Sequence, residues 1–179
     1  MNVPIPPTSE LPPDYADRLR EHAARYGYPD VPAIFRAFGL VDELGPAMLA
    51  VSGVHRRRFP FGERAREAVV LVTAHALDSQ YELSIHRDEA LRAGLAADEV
   101  GALLGPAPLT LASLEPLERA CVEVAVDVGA GRAPSPDAVA LLGERGFVAV
   151  AALISHYRGL AAFAGILDLS PEDFHAGPG

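Results

Sequence analysis

The chain has no lysine and no tryptophan, and its 179 residues include one cysteine, one glutamine and one asparagine. Each absence removes a chemistry. Without lysine there is no Schiff-base nucleophile, no pyridoxal-phosphate anchor and no P-loop lysine. The lone Cys121 permits neither an intrachain disulfide nor a Cys-x-x-Cys redox pair. Positive charge is scarce: 15 arginines face 24 acidic residues, for a net charge of −9 with His neutral. That balance argues against a nucleic-acid surface, which draws on clustered positive charge. No charged start followed by an apolar run opens the chain, so no signal peptide is expected, and the reading is a soluble cytoplasmic protein.

What is present is globular. Half of the residues are hydrophobic and 22% are charged, enough for one domain to bury a core without disulfide or metal. Residues 1–13 carry five prolines and no periodicity, and are expected to form an extended arm. Residues 14–169 read as a single all-helical domain, and 170–179 as a short turn and tail. Thr occurs three times and Ile five times, and no strand-like alternation persists.

Gly and Pro punctuate the helices. The pattern predicts helices over 14–26, over 32–57 with a break at Gly45-Pro46, and over 63–77, 79–93 and 98–104. Further helices are predicted over 114–128, 136–145 and 147–167. That is an all-α architecture of seven or eight helices. The last is long enough to span a membrane, but Ser155-His156-Tyr157-Arg158 falls at its middle, where charge is expensive in lipid. Its many Ala and Gly residues fit burial inside a subunit together with an oligomer interface, and no membrane partner is expected.

The stretch from Glu67 to His86 holds the chemistry. Glu67 lies in an apolar helix, so its carboxylate must be paired or hold its proton. Ser79, Glu82 and His86 are spaced i, i+3, i+7, with Glu82 and His86 direct i, i+4 neighbours. A carboxylate beside an imidazole orients the ring and stabilises its charged form, as general acid–base catalysis requires. The same residues also fit a structural reading: Ser79-x-x-Glu82 has the form of a capping box. His75 would join the stripe if the two helices were continuous. A metal site of His75, Glu82 and His86 lacks the usual ligand spacings, so neither metal nor cofactor is expected.

In the final helix, His156 and Arg158 need partners, and Glu67 is the structural partner considered for Arg158; a substrate carboxylate is the alternative. Tyr157 reads as core, and Cys121 as packed beside Val124 and Val126. His55-Arg56-Arg57-Arg58 reads as a solvated helix end that complements the helix dipole, or as an anionic entrance.

The segment Ser79-Gln-Tyr81-Glu82-Leu-Ser-Ile-His86 resembles the carboxymuconolactone decarboxylase family, which shares the alkylhydroperoxidase D-like fold. In the peroxidase branch of that family a Glu is followed, after eleven residues, by Cys-x-x-Cys-x-x-x-His. Here Glu67 and His86 take the Glu and His positions, while Ser79 and Glu82 stand where the cysteines would be. The Tyr-Glu segment before His86 is similar to the decarboxylase-like branch. Ala90-Leu-Arg-Ala-Gly94-Leu, Asp98-Glu99-Val100 and Ile34-Phe35-Arg36 extend the resemblance over about residues 30–169.

The resemblance implies a cofactor-free lyase acting on a small carboxylate or lactone, and not a thiol peroxidase, since the thiols are missing. His86, Glu82 and Glu67 would be catalytic, and Ser79, Tyr81, His75, His156 and Arg158 would contact substrate. It also implies a homo-oligomer, trimer or hexamer. Isomerisation, dehydration or cyclisation would use the same acid–base pair. A non-catalytic helical oligomer that binds a ligand or partner is the remaining alternative.

Overall fold

The computed structural model describes residues 3–175. Among these there are nine α-helices, two short 3-10 turns and no strand. The helices are α1 (Pro13–Tyr26), α2 (Ala33–Phe38), α3 (Leu44–Arg58), α4 (Gly62–Ala76), α5 (Gln80–Arg92), α6 (Ala97–Leu103), α7 (Pro116–Gly129), α8 (Pro136–Ile166) and α9 (Pro171–His175). The all-α expectation holds.

Helix α4 is the axis of the bundle, packed by α5, α6, α7 and α8. Every residue from Ala65 to Ala74 is buried, which explains its apolar run. A helix apolar on all sides is stable in water only when neighbours cover all sides. Helix α7 contributes Cys121, Val122 and Val124, none of them exposed to solvent. Helix α8 contributes Val150, Leu153, Ile154, Tyr157, Leu160 and Ala164 to the same core.

Local signals set most boundaries. Gly27 ends α1 in the left-handed conformation (φ 68°), and its N–H bonds back to the last turn. Gly94 (φ 93°) follows α5 in the same way. Two expectations are corrected. The break before α3 lies at residues 39–43 and not at Gly45-Pro46, which sit in the first turn of α3. There an N–H has no intrahelical acceptor, so a proline is tolerated. The break in the long last helix falls at Gly143 (φ 67°, ψ 167°) and not at Gly146.

The ends are less loose than their composition suggests. Leu11 is buried, and the Pro6 carbonyl accepts from Arg36 at 3.4 Å. Residues 171–175 form α9, with Phe174 buried and set edge-on to Tyr28 at 5.5 Å. The predicted tail lies outside the described residues beyond position 175.

By length and composition α8 could cross a membrane, and a third of its apolar window is buried within the chain. Its outer face shows Val148 and Ile166 to solvent, together with Arg158.

Candidate acid–base site

The site forms where α4 and α5 pack against α3 and α8. Glu67 sits in the middle of α4 with no exposure, and His86 on α5 is 2% exposed. The His86 Nδ1 meets Glu67 Oε2 at 2.7 Å. The other Glu67 oxygen accepts from Arg66 Nε at 2.8 Å. With Nδ1 donating to Glu67, Nε2 is the ring atom free for chemistry. It lies 3.6 Å from Glu82 Oε2. Glu82 Oε1 is buried without a hydrogen-bond partner.

A second ion pair flanks the first. Arg56 forks onto Glu89, with Nη1 to Oε2 at 2.6 Å and Nη2 to Oε1 at 2.8 Å. Tyr28 donates to Glu89 and accepts from Arg56. The Arg56 guanidinium also lies over the Tyr26 ring, 4.4 Å from its centroid. Glu89 Oε2 is 3.6 Å from His86 Nδ1.

The charge balance is simple. Arg56 pairs with Glu89 and Arg66 with Glu67, which leaves Glu82 as the carboxylate of the cluster without a guanidinium. Burial raises the Glu82 carboxyl to about 7, against the opposing pull of His86 and Arg56. For His86, burial acts to lower its pKa, but the charges of Glu67, Glu89 and Glu82 outweigh it and the ring is raised. Glu89 is held down at about 2: burial opposes ionisation, and His86 and Arg56 overcome it. Glu82 and His86 are therefore both raised, and at 3.6 Å their protonation is coupled.

The hollow beside the pair is lined by Glu82, His86, Ser52, Arg56, Tyr28 and Tyr157, with apolar side chains from α2 and α8 closing it. Its volume is about 20 Å³, room for a single water. The Tyr157 ring stands edge-on to His86 at 4.9 Å. Ser52 Oγ and His156 Nε2 share a hydrogen bond of 2.9 Å, and the His55 ring stacks on His156 at 5.0 Å. Burial first, then the charges of His55, Arg56 and His86, lower His156 to about 4, so it is neutral at pH 7.

The structure brings His86, Glu82 and Glu67 together and places His156 one ring away, edge-on to Tyr157 at 5.4 Å. It separates the others. Tyr81 points into the core, where its hydroxyl accepts from the Ile34 N–H at 3.1 Å. His75 is exposed near the end of α4, and Asp78 (φ 50°) breaks the stripe that would have carried it to the site. Arg158 is exposed on α8, and Glu67 takes Arg66 as its partner in place of Arg158. Ser79 occupies the N-cap of α5 but makes no side-chain capping bond, so the capping box does not form.

Glu89, Tyr28 and Ser52 are not among the expected site residues, and Arg56 is expected only as one of the Arg56-Arg57-Arg58 cluster. Glu89 continues the Glu82–His86 stripe by one more helical step and was visible in that spacing. Arg56 had no mark to set it apart from Arg57 and Arg58, and it is no solvated helix-end charge, since its side chain is 6% exposed.

Glu67, His86 and Glu89 present ligand-type atoms within 4.8 Å of one another. Both carboxylates are already neutralised by guanidinia, so the group reads as an ion-pair network. Cys121 is buried in α7, and burial pushes its thiol up to about 12, which leaves no thiolate at neutral pH.

This arrangement of helices is the alkylhydroperoxidase AhpD-like fold. A Cys-to-Ala variant of the debrominase Bmp8 in complex with 2,3,4-tribromopyrrole is 16% identical, with a TM-score of 0.75 over 98% of this chain and 97% of that one. The alkylhydroperoxidase AhpD core of a peroxidase-related protein from Ralstonia eutropha JMP134 is 19% identical, with a TM-score of 0.79 over 97% and 94%. A peroxidase-related protein from Silicibacter sp. TM1040 is 14% identical, with a TM-score of 0.80 over 98% and 94%. No protein-family model and no curated protein sequence matches the chain.

Proposed function

We propose that the protein is a cofactor-free acid–base enzyme, a decarboxylase-like lyase acting on a small carboxylate or lactone. The observation that carries the reading is Glu82. It is a buried carboxyl with one oxygen unpartnered, raised to about 7, beside the free nitrogen of an imidazole fixed by Glu67. A group poised near the working pH is what proton transfer needs. The AhpD-like fold supports small-molecule chemistry, since the debrominase neighbour was crystallised with a small halogenated ring.

In this reading the substrate supplies its own electron sink, a carbonyl or conjugated lactone placed to accept charge. The carbon–carboxylate bond breaks and CO2 leaves. Its electron pair stays on the substrate as an enolate, and the Glu82–His86 pair delivers a proton to carbon. Glu67 holds Nδ1 so that Nε2 faces the reaction. Isomerisation, dehydration or cyclisation would draw on the same pair. We further propose a soluble cytoplasmic homo-oligomer, trimer or hexamer, that needs no metal or cofactor.

The test is CO2 release and solvent-deuterium incorporation over a panel of β-keto acids and unsaturated lactone carboxylates. His86→Ala and Glu82→Gln should each abolish turnover while the protein stays folded. Full activity in His86→Ala overturns the mechanism.

The water-sized hollow favours a second reading, in which the chain is a non-catalytic helical scaffold. A substrate larger than a water fits only if the side chains closing the hollow move. Failure of every substrate in the panel to turn over supports the scaffold.

A further inference from the structure

A second cavity opens on the outer face, between α1 and α3, with a volume of about 200 Å³. Its charged lining is Arg18, Arg25 and Arg57 against Glu21, with His22 also lining it. With His22 neutral the local balance is two positive charges, on a chain whose net charge is −9. Among the described residues Arg20, Arg56, Arg64, Arg66 and Arg132 all have carboxylate partners. Arg18, Arg25 and Arg57 belong to the other ten, which have no salt-bridge partner among the described residues, and these three share one opening.

His22 adds an independent sign. It is 9% exposed, and its Nε2 is buried without a hydrogen-bond partner. A buried ring nitrogen without a partner is costly and calls for an explanation. The ring lines the cavity, edge-on to Phe35 at 5.4 Å and against Tyr26 at 4.7 Å. The cavity shares no lining residue with the hollow beside Glu82 and His86, and it adjoins that site where Arg56 lies over the Tyr26 ring.

We propose that this cavity binds a small oxyanion, the carboxylate or phosphate end of an acidic metabolite, between His22 and the guanidinia of Arg25, Arg57 and Arg18. Guanidinium–oxyanion hydrogen bonds are charge-assisted and geometrically selective, which suits three arginines around one opening. Arg57 is already folded back along its own helix over Gly53, where a side-chain carbon would meet its Nη1 at 2.6 Å. In the free protein, burial and the charges of Arg56, Arg25 and Arg57 hold His22 neutral, with Glu89 opposing them. A bound anion reverses that balance, so binding takes up a proton and strengthens as pH falls.

The experiment is a titration of the full chain with sodium phosphate and, separately, sodium acetate, followed by the histidine ring signals in NMR. Sodium chloride at equal ionic strength is the reference. The expected result is a saturable shift of the His22 signal, with its titration midpoint rising from about 4 by roughly one unit or more. Arg25→Gln and Arg57→Gln should each weaken the binding about tenfold. Both arginines are exposed, so these variants leave the core intact. Tighter binding of phosphate or of acetate identifies the ligand class, and a response to either supports the site. An absence of saturable shift, the same shift with chloride, or unchanged affinity in both arginine variants overturns it.

Discussion

Glu82 and His86 lie one helical turn apart on α5, with Oε2 3.6 Å from Nε2, and both are 2% exposed. An exposed pair at this spacing contributes little, because water screens it. Here both side chains are buried, the imidazole Nδ1 is bonded to Glu67, and one oxygen of Glu82 has no partner. The pair is therefore an adjustable proton store inside an otherwise neutralised cluster.

The first prediction concerns stability against pH. The Glu82 carboxyl is raised to about 7 in the folded chain from an ordinary value of 4.5. A raised pKa means that the folded state holds the proton more tightly. The stabilisation is full below the unfolded value and is lost as pH rises through the folded one. His86 is also raised and adds a loss in the same direction. Urea unfolding should therefore show lower stability at pH 8 than at pH 5. The Glu82 share is on the order of 3 kcal/mol at 1.36 kcal/mol per unit. Glu82→Gln should flatten much of that slope, and a variant with the wild-type slope would show that Glu82 does not titrate in this range.

A second prediction isolates Glu67. Its charge is the largest of the influences raising His86. Glu67→Gln keeps the shape, removes the charge and leaves Arg66 without its counterion. The His86 midpoint, followed by ring NMR, should fall below the wild-type value. If it does not move, the contact between the two side chains carries no charge.

A third prediction tests the second ion pair. Removing one member of a buried pair strands the other charge, at a cost of about 3–5 kcal/mol. Arg56→Met should show a cost of this size in urea unfolding, since the side chains of Arg56 and Glu89 are 6% and 5% exposed. The double variant Arg56→Met, Glu89→Leu should cost less than the single one, because no stranded carboxylate remains. A near-neutral single variant would place Arg56 in solvent.

The contrast between Arg56 and its neighbours shows which parts of the site were legible in the sequence. Helices α4 and α5 could be read because apolar residues, glycines and prolines are local signals. Glu67, Glu82 and His86 could be read because two share one stripe and the third is a carboxylate in an apolar run. Arg56 becomes a site residue only when α3 packs beside α5, a relationship between positions 33 residues apart. Arg158 failed in the opposite way. It lies in a strongly apolar helix, which suggested burial, but α8 buries one face and leaves the other in solvent. Apolar content alone does not tell which face of such a helix is covered.

Gly143 and Gly146 allow a final prediction, because the two look alike in the sequence and differ in the fold. Alanine stabilises an ordinary helical glycine site by about 0.4–1 kcal/mol. Gly143 has φ 67° and ψ 167°, a region that is nearly exclusive to glycine and costs other residues about 1–3 kcal/mol. Gly146 is helical, but a side-chain carbon there would stand 2.5 Å from Phe61 Cζ, an overpacking that also costs about 1–3 kcal/mol. Both alanine variants should therefore destabilise in urea unfolding, and a second substitution separates the causes. Phe61→Ala removes the obstacle, so Gly146→Ala should become neutral or stabilising in that background. Gly143→Ala should cost the same with or without Phe61, because its strain is in the backbone. Equal rescue of both would place the break in α8 at the wrong glycine.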